Sequence, residues 1–439
     1  MRTLGLVILL AMTAALSASA QAPATPAAPS LSLQQAVVLA FAKSPVLAGA
    51  RADVPGAQAR LEQARSGGRL IASTSTFLST GTMFNNLTGT APVMPNDILT
   101  VPNASQADQN LMLMYPLYTG GRVGSEVAGA GAELQAARSD LDAAHLTVAY
   151  LVRADYWQVL LNTEMVKIAR QNLQEQQERL RVDQESFDAG KIPQYYVLRD
   201  KAEVADAQQG LTNADRDVST ALLRLRQDLG VPMDYALTLT DALAYESTTP
   251  GEAAALSAEA LKLRPEARAA AARVEAARRQ VAARESNYRP QVAATLMGDV
   301  FGVSGGESGG GYTFGVVASL PILDGGARGG QVAEARATVQ KAEADQAALD
   351  LDISRQVGEA LLNFDAANRN VRTAETAVAS AEEDYRVATA RYQAGKAINL
   401  EPISALTVLV RARVNYAQAL WGQRTTLDAV NRAVGKLPG

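Results

Sequence analysis

The chain has 439 residues, a formal charge of −4, no cysteine and one histidine, His145. It therefore carries no disulfide, thiolate metal site or lipid-anchor cysteine, and a single histidine all but excludes a Ser-His-Asp triad or a histidine metal centre. Weak acidity speaks against nucleic acid as a partner, and scarce aromatics beside abundant alanine point to close-packed helices.

Residues 1–20 read as a signal peptide. Arg2 supplies the positive start, Leu4 to Ala15 an apolar stretch too short to span a bilayer, and Ala18-Ser19-Ala20 the cleavage site. The mature chain would begin at Gln21 and lose one positive charge, and residues 21–30 form a Pro/Ala-rich linker.

A first structural repeat is expected over 31–230 and a second over 255–439, joined by an irregular polar connection at 231–254. Displacing the chain by 205 positions keeps Pro116 to Gly230 in register with Pro321 to Gly435 without a gap. The matches include Leu146/Leu351, Val152/Val357, Val166/Val371 and the tripeptides Ala189-Gly190-Lys191 and Ala394-Gly395-Lys396. Upstream, Pro45/Pro265 and Arg69/Arg289 match at a displacement of 220, so the first copy holds one longer inter-strand segment.

Each repeat opens with a short helix, near 46–68 and 266–287, followed by a β-hairpin at about 70–118 and about 291–321. The strands alternate: Leu111, Leu113, Tyr115 and Leu117 in one copy, Tyr312, Phe314, Val316, Ala318 and Leu320 in the other. Runs of this length suit tilted membrane strands, whereas no later apolar run is long enough for a membrane helix. Four strands cannot close a barrel, and open edges are not tolerated in lipid, so several chains would have to pool them. The loops at 81–109 and 303–311 would face outward, and the sequons at Asn86 and Asn103 read as plain loop composition.

The stretches YPLYTGGRVG and LPILDGGARG end the hairpins, with Pro116, Gly120 and Gly121 matching Pro321, Gly325 and Gly326. Proline would stop the ladder and the glycines would swing the chain into a helix. A helical hairpin follows at about 122–229 and again at about 330–434. Its first arm supports roughly 60–65 helical residues, about 90–100 Å. Val152, Val159, Val166, Leu173, Leu180 and Phe187 recur every seven positions, as do Val357, Phe364, Val371, Val378, Tyr385 and Tyr392. A sustained seven-residue repeat implies a left-handed coiled coil.

In this order and spacing the chain resembles the TolC-type outer membrane factor family over essentially its whole mature length. The resemblance implies a mainly α fold with a membrane β-barrel part. Duplicated helical hairpins would form a periplasmic α-barrel, and four strands per chain would complete the membrane barrel by trimerisation. It also implies a homotrimer in outer membrane lipid, a docked periplasmic adaptor (membrane fusion) protein, and an inner membrane ABC or proton-driven pump. The function so implied is a passive exit duct for small molecules or for type I protein secretion, with no enzyme activity and no cofactor.

Arg391-Tyr392-Gln393-Ala394-Gly395 matches the family's second tip, which places Arg391, Tyr392, Gly395 and Lys396 at an adaptor contact. In the first tip Gly190 and Lys191 take those positions, and the arginine is missing. Six residues past each glycine stand Glu401 and Tyr196, candidates for the constriction; three Glu401 carboxylates would make a cation-favouring ring. A soluble periplasmic coiled-coil adaptor or scaffold is the competing reading, disfavoured by the duplicated rods. An exported enzyme has no nucleophile or metal constellation behind it.

Overall fold

The computed structural model describes residues 30–86, 98–304 and 308–436. The expected signal peptide and the linker up to residue 29 lie outside these, as do 87–97 and 305–307 within the two strand loops.

In chain order, β1 (Ser30–Leu31), α1 (Leu33–Lys43) and α2 (Pro45–Ser66) lead into β2 (Ile71–Asn86) and β3 (Ile98–Tyr118). The rod α3 (Arg122–Asp188) turns back as α4 (Gln194–Leu229). After β4 (Thr238–Leu239) the order recurs as α5 (Ala253–Leu263), α6 (Pro265–Glu285), β5 (Gln291–Val303), β6 (Ser308–Ser319), α7 (Ala327–Gln393) and α8 (Leu400–Val434).

The two rods have 67 residues each, about 100 Å of helix. α7 runs unbroken through Gly358, a glycine that its counterpart α3 lacks. Return helices of 36 and 35 residues cover only part of that length. The remainder is packed by α2 on α3 and by α6, which lies between α3 and α7. Towards the tips α8 takes over the place between the two rods, and α4 flanks α3. Proline at the first position starts both α2 and α6, where its missing N–H is one of the unpaired ones.

The heptad positions are where the core sits. Val152 and Tyr156 on α3 pack with Leu225 and Leu229 of α4 and with Ala36, Val37 and Ala40 of α1. In the second copy Val357 and Phe364 pack with Val430 and Val434 of α8 and with Ala260 of α5. Each fully buried valine, leucine or phenylalanine among them contributes about 1.5–3 kcal/mol through apolar burial. Helices α1 and α5 and the parallel pair β1–β4 have no forerunner in the periodicity reading. α1 begins at a capping box of Ser32 and Gln35, and α5 begins inside the stretch expected to be irregular. The Tyr156 hydroxyl ties this belt together, its one proton lying between Leu31 O at 2.9 Å and the Asp241 carboxylate at 2.6 Å.

The four long strands form one antiparallel sheet in the order β2-β3-β5-β6. Register aligns Ala72, Leu113, Leu296 and Phe314 across one face, with Leu111 and Tyr312 in the next row of that face. The opposite face aligns Ser73, Met112, Met297 and Thr313, then Ser75, Asn110 and Asp299. An apolar face backed by a more polar one is the pattern of a lipid-facing strand over an aqueous lumen. Among the described residues, β2 and β6 are unpaired on their outer edges. No single helix among the described residues is long and apolar enough to cross a membrane.

Pro116 does not end its strand. β3 continues to Tyr118, and the ladder shifts register between Pro116 and Tyr118. A proline cannot donate to a ladder and is accommodated at such an irregularity. In the second copy β6 ends at Ser319, before Pro321.

Candidate functional site

The two ends of the rods carry the residues singled out by the sequence. At the sheet end, Gly120 and Gly121 have φ of 64° and 91°, and Gly325 and Gly326 have 63° and 89°. The duplicated sequence thus produces a duplicated backbone, with the second glycine of each pair capping the rod. Surroundings differ. A Cβ on Gly120 would lie 2.9 Å from both Arg289 Cβ and Ser286 O, whereas Gly325 and Gly326 have open space. Arg289 donates to the Gly120 carbonyl at 3.0 Å, clamping the first joint from the second repeat. Asp324 organises the second joint instead, accepting from the Gly326 and Arg328 N–H groups at 3.1 and 2.9 Å.

At the far end, Gly190 and Gly395 take φ of 73° and 70°. Lys191 N donates to Ser186 O and Lys396 N to Arg391 O, each at 2.9 Å, closing the same helix-terminating turn in both copies. The side chains of Lys191 and Lys396 stand in solvent beside exposed Tyr195, Leu198, Ile398 and Leu400. Arg391 lies 3.9 Å from Glu401, a long and exposed pair that offsets part of the Glu401 charge. Tyr196 stacks edge-on against Tyr195, ring centres 4.5 Å apart.

Tyr392 is not a bare tip residue. Its hydroxyl donates to Asp183 Oδ1 on α3 at 2.8 Å, and Asn399, at the start of α8, donates to Asp183 Oδ2. Asp200 of α4 is fully buried beside this pair, and Arg179 Nε approaches it at 3.4 Å. One cluster therefore joins all four helices of both hairpins just above the tips. Asp183, Asp200, Arg179 and Asn399 escaped the sequence reading. A signal was present: Gln176 and Asp183 fall seven apart on the buried side of α3, a polar pair where an apolar stripe would continue.

Burial, followed by the neighbouring Asp183, pushes the Asp200 carboxyl up to about 6, although Arg179 pulls the other way. A carboxyl whose pKa is raised by folding stabilises the folded form while it is protonated and loses that contribution as pH rises through the folded value. Asp183 and Arg179 from α3, Tyr392 from α7 and Asn399 from α8 are the polar groups facing it. Once corrected for the intrinsic base-catalysed rate, amide protection in the tip peptides should therefore be higher at pH 5 than at pH 7.5, and Asp200→Asn should flatten that difference. Equal protection at both pH values in the unsubstituted protein would contradict this.

Open strand edges, an apolar sheet face and 100 Å rods (about 1.5 Å per residue) define a class: a subunit of a membrane channel whose barrel and tunnel are shared among chains. The profile of the outer membrane efflux protein family matches residues 36–231 and 256–436, and the chain belongs to that family. It is an outer membrane protein and a conduit, not an enzyme.

Nodulation protein T of Rhizobium leguminosarum bv. trifolii is 24% identical over 70% of this chain and 67% of its own. The outer membrane efflux protein BepC of Brucella suis is 26% identical over 73% and 64%. The pyoverdine export outer membrane protein OpmQ of Pseudomonas putida is 27% identical over 75% and 70%. The aligned stretch thus spans about two thirds of these relatives' length. In fold the chain matches the outer-membrane channel OprN with a TM-score of 0.79 at 21% identity, covering 92% of this chain and 91% of that one. VceC of Vibrio cholerae gives 0.76 at 21% identity, covering 92% and 96%.

Proposed function

We propose that three copies of the chain close one barrel and one tunnel, forming a passive exit duct for small molecules. An inner membrane pump supplies the energy, and a periplasmic adaptor seats on the tips. Export of small molecules is preferred over type I protein secretion because relatives carry efflux and pyoverdine export in their names. The observation that carries the docking role is the apolar surface at the end of the rods farthest from the sheet. Tyr195 is 59%, Leu198 57% and Ile398 59% exposed in the single chain, apolar area available to a protein partner. Arg391, Lys191 and Lys396 are exposed at the same two turns, and their positive charge suits an acidic partner loop.

In this reading Glu401 and Tyr196 line the narrow end, and Arg391 beside Glu401 makes its cation preference weaker than three bare carboxylates would give. Single-channel selectivity of Glu401→Gln reads this out. The joints at Pro116, Gly120, Gly121, Pro321, Gly325 and Gly326 connect barrel to tunnel. The docking role is tested by Tyr195→Asp with Ile398→Asp, measured as toxicant susceptibility of cells that depend on this chain for export. Export is expected to fall at least tenfold while the amount of oligomer in the outer membrane stays unchanged. Full export with both aspartates in place would exclude docking at this surface.

A further inference from the structure

The more polar face of the sheet holds side chains that a water-filled lumen does not call for. Register pairs Met112 of β3 directly with Met297 of β5. Met114, two residues further along β3, shares their face and aligns with Ile71 and Thr295. Three of the chain's nine methionines thus meet on one patch of the inner face. Met297 is 42% exposed, and Met112 and Met114 are partly exposed, so none is sealed into a core. Gap-filling in a core, a common duty of methionine, leaves them unexplained.

The spacing suits joint ligation. Directly opposite residues have Cβ atoms about 4.5–5.5 Å apart, and two residues along a strand span about 7 Å. A methionine side chain has three rotatable bonds, enough for the three sulfurs to converge on one point. Thioethers are neutral, soft ligands that select Cu(I), whereas magnesium, calcium and manganese favour oxygen. We infer that Met112, Met114 and Met297 form a binding site for a soft monovalent cation, Cu(I) or Ag(I), on the inner wall of the barrel.

The charge on the wall agrees with this. The four long strands contain no Lys, Arg or His, and their charged residues are Asp108 and Asp299. Both lie on the methionine face. Asp299 aligns with Asn110 one row beyond Met112, and Asp108 aligns with Phe301 one row further. Walls of a single sign of charge concentrate the counter-ion, so a cation is drawn to the height at which the thioethers stand. The site is written once per chain: 205 positions after Met112 and Met114 come Val317 and Ser319. Met114 aligns with Ile71, the first residue of β2. Cargo leaving the rods would therefore meet the thioethers as it enters the barrel.

The inference rests on the shared barrel proposed above, which puts this face inside, and the experiment separates the two. The chain has no cysteine, and its one histidine, His145, lies on α3, so few other groups compete for silver. The detergent-extracted trimer, in chloride-free buffer, is titrated calorimetrically with silver nitrate. One tight Ag(I) per chain is expected. Met112→Leu with Met297→Leu should weaken it at least tenfold, and so should Met114→Leu alone, while Met165→Leu on α3 should leave it unchanged. Leucine for methionine conserves volume, and trimer recovery shows that each variant folds. In planar bilayers Ag(I) should lower the conductance of the unsubstituted trimer and spare that of the double variant. Equal silver affinity with and without the three thioethers would overturn the site. Tight binding that leaves conductance unchanged would overturn its place on the inner wall. A chain that purifies as a monomer would overturn the shared barrel instead.

Discussion

Asp428→Ala is expected to destabilise the folded chain by about 3–5 kcal/mol, the range for removing one partner of a buried ion pair. Asp428 is 3% and Arg153 13% exposed at the side chain, with Arg153 Nη2 2.7 Å from Asp428 Oδ1. The same carboxylate accepts the Trp157 indole N–H. Alanine would leave a buried guanidinium without its counter-charge and a buried N–H without an acceptor. Both losses fall at one point, on the contact between the first-repeat rod and the second-repeat return helix. Asp428→Asn keeps an acceptor for Trp157 and should cost less. Denaturant midpoints of the detergent-extracted protein would show it: an unshifted midpoint for the alanine variant would mean that this pair does not hold the repeats together.

Gly120→Val is expected to prevent a folded joint and to leave almost no assembled protein in the outer membrane. Valine at φ of 64° is strained by itself, at about 1–3 kcal/mol. Its Cβ would also press at 2.9 Å on Ser286 O, a backbone atom with nowhere to move. Gly325→Val has the same strain without that clash within the chain. Its fold should survive, and its yield of assembled protein should fall less than that of Gly120→Val. Protease resistance of the two variants before and after assembly distinguishes these outcomes. Equal and normal yields would contradict both.

The legible part of this protein was the part written twice. Seven-residue spacing from Val152 to Phe187, recurring from Val357 to Tyr392, fixes rods whose length no compact domain could hide. The glycine pairs gave the joints because a left-handed backbone excludes most other residues. Pro116 was over-read: a proline stops a ladder only where no bulge can take it, and β3 supplies one. Helix α1 was invisible because its apolar residues lie beside the chain start in an alanine-rich run with no heptad neighbours. The tip cluster was hidden for a different reason. Asn399 lies 216 positions from Asp183, and only the packing of four helices shows that it meets Asp183 and Asp200. Repeat comparison could have flagged them, since Asp183 and Asp200 stand opposite Ala388 and Ala405.

The most direct test of the account is the mass of the protein extracted in mild detergent from isolated outer membranes. Three chains in one particle are expected, recovered from the outer membrane fraction and absent from the soluble periplasmic fraction. A soluble, monomeric chain in the periplasm would contradict the shared barrel, the shared tunnel and the export role together.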